Sequence, residues 1–421
     1  MNVVGKAAKS LEIDLRLVGM IGALVVIWLV FDLTTGGRFL TPRNLFNLSV
    51  QTASVAVMAT GMVFVIVTRH IDLSVGSLLG FVGMIMGVLQ LTYLPALLGQ
   101  GSSFIWIGAI AGGLIVGLVI GGFQGWIVGY LGVPAFIVTL GGLLVWRGAA
   151  WWVTAGQTVA PLDPTFARLG GGTGGTLGAT WSWALGLVSA LAAVLLIAAS
   201  RRRKASHGFP IKPLWAEMTL GAIVVLLILG FVALMNAYPV PEIAAKRILE
   251  ARGEPIPDGP IDMAQGIAIP VVILLGVAVV MTVVATRTRF GRYVFATGGN
   301  PDAAELSGIN TRLLTVKIFA LMGALTAIAS VIASARLGAV GNDLGTLDEL
   351  RTIAAAVIGG TALSGGIGTI YGAIIGALIM QSLQSGMAMV GVDAPLQSIV
   401  VGLVLVLAVL IDIIYRRRTG L

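Results

Sequence analysis

Residues 104–131 read FIWIGAIAGGLIVGLVIGGFQGWIVGYL, and this stretch decides what kind of fold the chain adopts. It holds no Asp, Glu, Lys or Arg from end to end. As an α-helix it would reach about 40 Å, longer than the ~30 Å hydrocarbon core of a bilayer. Its apolar residues run continuously instead of alternating, so it reads as a helix and a membrane β-barrel is excluded. Within it Gly113, Gly117, Gly121, Gly125 and Gly129 recur at every fourth position. That spacing strips one helix face of side chains and lets another backbone come close, the route to tight packing where lipid is as apolar as leucine. Gly368, Gly372 and Gly376 repeat the device further on. Both stripes are read as helix-packing faces, with a solute path along them as the other reading.

The rest of the chain is of the same kind. Hydrophobic residues make up 57% of the 421 positions and charged residues 10%, with 58 glycines and a mean hydropathy of +1.01. No soluble domain has that balance. Further apolar runs fall at 17–33, 44–68, 73–91, 134–153, 181–199, 215–236, 267–286, 313–334, 350–362, 367–386 and 395–415. The expected fold is all-α, a single polytopic transmembrane helical bundle over residues 1–421, with about twelve spans in a range of ten to fourteen. The Gly-interrupted run at 350–362 is the shortest. Lys6, Lys9, Glu12, Asp14 and Arg16 precede the first run. No small-residue cleavage site follows it cleanly, so it reads as an uncleaved span.

With the N-terminus inside, span parity places most of the 26 Lys and Arg on cytoplasmic segments. These include Arg201-Arg202-Arg203-Lys204, the loop from Arg287 to Arg312 and the tail Arg416-Arg417-Arg418. The positive-inside rule favours this orientation, with both termini cytoplasmic. The net charge of +8 therefore reports topology, and no nucleic-acid partner is expected. Two external segments are long. Residues 154–180 are rich in Gly, Thr and Pro and read as irregular. Residues 238–266 hold a surface helix with Glu242, Lys246 and Glu250 at four-residue spacing. They read either as a receptor-docking surface or as solvated loops. The chain has no cysteine, which removes disulfides and thiolate metal sites, and His70 and His207 are too few for a metal centre.

One polar stretch stands apart. Residues 287–312 read RTRFGRYVFATGGNPDAAELSGINTR. Gly298-Gly299 gives a flexible lead-in, Asn300 is a good N-cap, and Pro301 suits the first helical position. Asp302 and Glu305 place negative charge near the positive end of the dipole, and Ser307-Gly308 ends the helix. The result is about one and a half turns carrying Ala303, Ala304, Leu306 and Ile309, small apolar residues suited to a shallow groove. The element is read as a cytoplasmic docking helix, the alternative being a helix resting on lipid headgroups.

Few polar groups fall inside the spans, and no carboxylate lies near the middle of a long one. Asp72 and Ser74 open the span after Arg69, as its cap or as a gate or partner contact. Arg147 lies about 20 Å along its helix from Pro134. With Trp146, Trp151 and Trp152 it forms either an interfacial aromatic belt with a snorkelling arginine or a lining for a hydroxyl-rich solute. No GxxxxGK[ST], HExxH or GxSxG motif and no catalytic pair is present, so the chain is no enzyme and has no ATPase domain.

Four stretches carry a resemblance: IDLSVGS at 71–77, VPAFIVTLGGLLVWRG at 133–148, GGNPDAAELSGIN at 298–310 and AAAVIGGTALSGGIGTIYGAIIGALI at 354–379. In that order, over nearly the whole chain, it resembles the sugar-permease subunits of bacterial binding-protein-dependent ABC importers, the ribose, galactose and xylose group. The extra pair of spans at 181–236 and the overall length are most similar to the D-xylose branch. The resemblance implies a multi-pass protein of the bacterial inner membrane that pairs with a second copy. It implies a cytoplasmic ATP-binding subunit, which holds the ATP and magnesium, and a periplasmic sugar-binding protein, with membrane lipid around the spans. In such importers a short cytoplasmic helix fits a groove on the ATPase, and residues 300–308 match its place. The implied function is import of a monosaccharide by alternating access, with D-xylose favoured over ribose, galactose or another small solute. An ion-coupled secondary sugar transporter is the rival class, and the lack of a deep carboxylate counts against it.

Overall fold

The computed structural model describes residues 15–172, 174–257 and 259–419. The mixed charges from Lys6 to Asp14 lie outside the described residues, as do the side chains of Arg416 to Arg418. Among the described residues the structure is helical, and extended pairing is confined to three isolated bridges. Ten helices are long and apolar enough to cross a membrane. They are α1 (Arg16–Thr34), α2 (Pro42–Val67), α3 (Val75–Leu98, with a π-helical turn at Leu89–Tyr93), α4 (Ile105–Leu131) and α5 (Ala135–Thr154). After the short α6 (Pro164–Arg168) come α7 (Gly178–Ser206), α8 (Leu214–Asn236), the surface helix α9 (Glu242–Arg252) and α10 (Ile269–Arg287). Then follow α11 (Arg289–Gly299), α12 (Pro301–Leu306), α13 (Thr311–Leu337), α14 (Asp348–Ile358), α15 (Ile370–Met389) and α16 (Ala394–Thr419).

Two of the expected spans take a different form. The run at 350–362 is the short helix α14, preceded by ten residues, 338–347, that are not helical. Non-helical backbone survives inside a bundle only where protein or a polar cavity satisfies its carbonyls. The last run lies in α16, whose apolar portion Ala394–Leu407 is shorter than a full span among the described residues.

The chain forms two compact units. The larger comprises Met20–Leu40, Asn47–Gly175 and the residues from Ile269 onward, and its centre is the antiparallel pair α4 and α13. The glycine stripe makes that pair possible. A side chain at Gly117 would strike the Gly323 carbonyl and one at Gly121 the Phe319 carbonyl. At Gly125 it would meet the Val316 backbone, and at Gly129 the Arg312 carbonyl. Gly113 instead faces Met86 and Val82 of α3. The second stripe seats α15 on α14: Gly372 lies against the Gly359 carbonyl and Gly376 against that of Ala355, while Gly368 meets Val63 and Val67. Buried hydroxyls follow the same logic, Ser330 Oγ donating to the Leu79 carbonyl at 2.7 Å and joining α13 to α3.

The smaller unit holds Thr41–Phe46 and Thr176–Ala268 with the first turn of α1. Here α7 and α8 form a hairpin with outward apolar faces, Gly186 sitting against Val232. The surface helix α9 carries the expected four-residue pairing, Lys246 to Glu242 at 2.9 Å. Ser182 Oγ accepts from the Ile267 N–H at 2.8 Å and fixes the segment leading out of the unit.

Candidate functional site

The short helix α12 is built by its caps. Asn300 Oδ1 accepts from the Ala303 N–H at 3.0 Å, Pro301 follows, and Ser307 Oγ closes the last turn on the Ala303 carbonyl at 2.7 Å. Gly308, at φ +85°, makes the left-handed exit. Leu306 is 90% exposed and Asp302, Ala303 and Glu305 also face outward. Ala304, read above as a groove contact, is only 5% exposed and packs into its own chain, with Ile309 half-buried behind it. The helix therefore offers Ala303 and Leu306, and Ala304 anchors it. Gly298-Gly299 is not a flexible lead-in: these residues end α11, an amphipathic helix capped by Thr288. A side chain on Gly298 would strike the Val67 carbonyl, so glycine there permits close contact with the end of α2.

That contact leads to the first break in the bundle. Between α2 and α3 residues 68–74 are not helical, and Arg69 takes the left-handed conformation at φ +65°. Its Nε donates to the Gly298 carbonyl at 3.1 Å and its Nη2 to that of Gly299 at 2.9 Å. From the far side of the break the Gly366 N–H donates to the Val67 carbonyl at 2.9 Å. The residues just before α12 are thus tied to the point where α2 stops.

Asp72 and Ser74 follow at once. Asp72 Oδ1 accepts from the Ser74 N–H at 2.9 Å and from Ser74 Oγ at 2.6 Å. Ser74 precedes α3 but its side chain caps no N–H of that helix. The expected cap is instead a tight turn closed by the aspartate, which lies in the connection outside both spans. Burial lifts this carboxyl to about 6, against the opposing pull of its two bonds from Ser74. Ser74 Oγ also lies 3.1 Å from Oε1 of Gln124 on α4. Gln124 is 3% exposed, and its Nε2 has no acceptor among the described residues. Trp146 Nε1 on α5 lacks one too, while its ring stacks on Phe81 at 5.6 Å. Both donors converge on Gly142: a side chain there would clash with Gln124 Nε2 and sit 3.2 Å from Trp146 Nε1. A hydroxyl oxygen entering beside Gly142 would supply the missing acceptor.

Arg147, next in sequence, turns to a different place. Its Nη1 donates to the carbonyls of Asn342 at 2.9 Å and Leu344 at 3.0 Å, inside the non-helical segment 338–347. This is the second break, and the arginine satisfies carbonyls that no helix can. Those bonds turn the guanidinium into the protein, while Trp151 and Trp152 are exposed, as in an aromatic belt. Leu347 at φ +64° turns the chain into α14, whose first turn holds Asp348, paired to Arg351 at 2.8 Å, and Glu349, 7% exposed. Glu349 Oε2 has no donor among the described residues and lies against Gly76 at the start of α3. Both carboxylates thus stand at the start of a short helix and neither lies in the middle of a long span, but Glu349 is buried. At the far end of the break Val159 and Val340 exchange both backbone bonds, at 3.0 and 2.9 Å, and Leu162 N–H donates to the Gly338 carbonyl. The expected irregular loop is tied to this break at Val159 and Leu162, and its short helix α6 holds Phe166 fully buried.

Of the residues singled out from sequence, Asp72, Ser74 and Trp146 come together, Arg147 stands at the second break, and 300–308 form the exposed helix. Gln124, Arg69 and Glu349 were missed. A lone glutamine within 104–131 was the legible sign, since an amide is costly among apolar neighbours unless something bonds it.

Comparison with known proteins agrees with this architecture. The chain is 36% identical over 413 residues to the xylose transport system permease protein of Escherichia coli (strain K12), covering 97% of this chain and 94% of that one. It is 38% identical over 407 residues to the Haemophilus influenzae protein of the same name, covering 96% and 98%. The ribose import permease protein of Escherichia coli (strain K12) is 33% identical over 393 residues, covering 93% and 92%. No solved structure matches the chain. Residues 44–409 match the permease component of the branched-chain amino acid transport system family. With ten helices of membrane length, the chain is a multi-pass inner-membrane transport subunit and belongs to that family.

Proposed function

We propose that this chain is the permease subunit of an ATP-driven importer for a monosaccharide, with xylose as the sugar. The observation that carries the reading is the 36–38% identity to xylose transport permeases over almost the full length of both chains, against 33% for the ribose permease. The family description mentions branched-chain amino acids, but a hydroxyl-rich solute suits the buried amide and indole N–H near Gly142 better than an aliphatic side chain does. Two copies of the chain form the pathway, an ATP-binding subunit docks on α12 from the cytoplasm, and a periplasmic sugar-binding protein delivers the solute.

In this reading closure of the ATP-binding subunits moves α12, and Arg69 passes the displacement to the break between α2 and α3. That break abuts the second one through Gly76, against which Gly345 and Glu349 are packed. The second break is tied to the loop after α5 through the Val159 and Val340 bridge. Two interrupted helices in contact give a bundle discrete ways to rearrange, and nucleotide shifts the balance only through its different affinity for the two states. Glu349 keeps an ion-coupled transporter in play as the rival class. The deciding experiment is uptake of labelled xylose into proteoliposomes holding the permease, ATP-binding subunit and binding protein. ATP inside should drive accumulation that excess ribose does not block. Accumulation by the permease alone under an ion gradient would overturn the proposal.

A further inference from the structure

The second break has an open side, and it lies at the depth of the spans. Arg147, which bonds the Asn342 and Leu344 carbonyls, sits about 18 Å along α5 from Ala135 and about 10 Å short of Thr154. A side chain at Gly80 of α3 would strike the Leu344 carbonyl, and one at Gly76 the carbonyl of Gly345. One side of residues 342–345 is thus held by α3 and α5. On the other, Asp343, Thr346, Leu347 and Leu350 are exposed, as is Arg336 in the last turn of α13. The first turn of α14 adds the Asp348 and Arg351 pair, with side chains 13% and 26% exposed. Arg336 and Arg147 also act on Asp348 through their charge.

That composition excludes lipid as the neighbour. At bilayer depth, non-helical backbone and ionisable side chains face protein or a watery cavity, never acyl chains. The exposed residues midway along α8 show what does face lipid: Leu226 and Leu227. A dry contact with a second copy fits no better, because it would strip water from Arg336, Asp343 and the half-exposed pair, a costly step for each ion. What remains is water, and in a transport protein water at this depth is the path of the solute.

We propose that the open side of the second break is a wall of the solute path, and that Asp348 and Arg351 meet the hydroxyls of the monosaccharide there. The pair is joined through Arg351 Nη1 and Asp348 Oδ1. The other nitrogens can donate to sugar oxygens and the other carboxylate oxygen can accept from a neighbouring hydroxyl, so a vicinal diol is met without breaking the pair. Leu347 and Leu350 supply apolar surface for the C–H face of the ring. The choice of a sugar rests on the transport reading above; the water-lined wall does not.

Cysteine accessibility, in proteoliposomes holding the permease, ATP-binding subunit and binding protein, tests the wall. The probe is a membrane-impermeant methanethiosulfonate bearing a sulfonate, present on both sides. A thiol reacts as its thiolate, which forms in water and not among acyl chains, so Thr346→Cys should react at least about tenfold faster than Leu226→Cys. Labelling should block uptake in the first variant and spare it in the second. Equally slow labelling would set the break against lipid. A disulfide between two Thr346→Cys copies, formed with an oxidant and without labelling, would set it in a dry contact. Either result overturns the proposal. Asp348→Asn with Arg351→Gln removes both charges and keeps polar groups. With Thr346→Cys labelling unchanged, xylose taken up per ATP hydrolysed should fall about tenfold, the loss of charge-assisted bonds to the sugar. Undiminished uptake per ATP would overturn the sugar contact. If the double variant lowers thermal stability, Arg351→Lys carries the test, because it keeps the charge and loses the fork. Labelling of Thr346→Cys in a wild-type background that takes up no sugar would leave the wall standing and sink the transport reading instead.

Discussion

Arg69 donates to the carbonyl of Gly299 at 2.9 Å, although 230 positions separate them in sequence. One guanidinium thereby fastens the interrupted end of α2 to the residue that precedes the cap of α12. Its second bond, to Gly298 at 3.1 Å, uses a different nitrogen, so the fork geometry of arginine is required and a lysine cannot reproduce it.

Arg69→Lys is accordingly expected to leave the fold intact and to separate ATP hydrolysis from transport. Two bonds to a partly exposed charge are worth about 1–3 kcal/mol, too little to unfold a bundle of this size. In proteoliposomes with the partner subunits, uptake should fall about tenfold or more while ATPase activity persists. A parallel loss of both rates would show that the strut holds structure alone.

A cysteine scan of α12 takes advantage of a chain without native cysteine. Leu306→Cys should crosslink to the ATP-binding subunit with a yield that changes on adding nucleotide. Ala304→Cys should not, because that side chain faces inward. Equal crosslinking at both positions would mean that the helix docks by another face.

The contact of α4 with α13 predicts a sharp contrast between adjacent glycines. Gly121→Leu drives a side chain into the Phe319 carbonyl, whereas at Gly122 the nearest atom is Ala320 Cβ, 3.7 Å away. Overpacking a close backbone contact costs about 1–3 kcal/mol and sometimes more. Gly121→Leu should therefore lose monodisperse protein on size exclusion in detergent, and Gly122→Ala should match wild type. Normal yield and thermal stability for Gly121→Leu would refute the packing role.

Asp72 gives a pH signature. Its folded value of about 6 lies above the ordinary carboxylate value of 3.8, so the fold favours the protonated form. Its burial penalty is absent below about pH 4, grows as the pH rises through 6, and is then constant. Asp72→Asn keeps an acceptor for Ser74 and removes the charge. It should raise the unfolding temperature at pH 7.5 by an amount worth about 2–3 kcal/mol, and the gain should vanish near pH 4. A gain that does not depend on pH would show that the carboxylate is not the cause. Reduced transport in the more stable variant would mark the residue as functional, the usual trade between stability and activity.

Trp146→Phe separates packing from solute contact. The stacking on Phe81 is kept and an unpartnered N–H is removed, so stability should hold or rise by about 1 kcal/mol. If the indole touches the sugar in transit, KM for uptake should rise about tenfold at unchanged expression. An unchanged KM would leave Trp146 as a packing residue only.

Much of this was written in local patterns. The run at 104–131 sufficed for a membrane helix and its glycines for a bare face, because partition into lipid acts on each segment by itself. The caps of α12 were equally legible, since Asn300, Pro301 and Gly308 act within a few residues of their own positions. What no local pattern held was which segments meet. Ser74 reaches Gln124 across 50 positions and Arg147 reaches Leu344 across 197, distances set by how α3, α4, α5 and the second break cross. Packing likewise turned Ala304 inward and put Glu349 beside Gly76. Hydrophobicity determined that the helices form and span; only the packed arrangement, with its backbone contacts at glycine, decided which polar groups share a site.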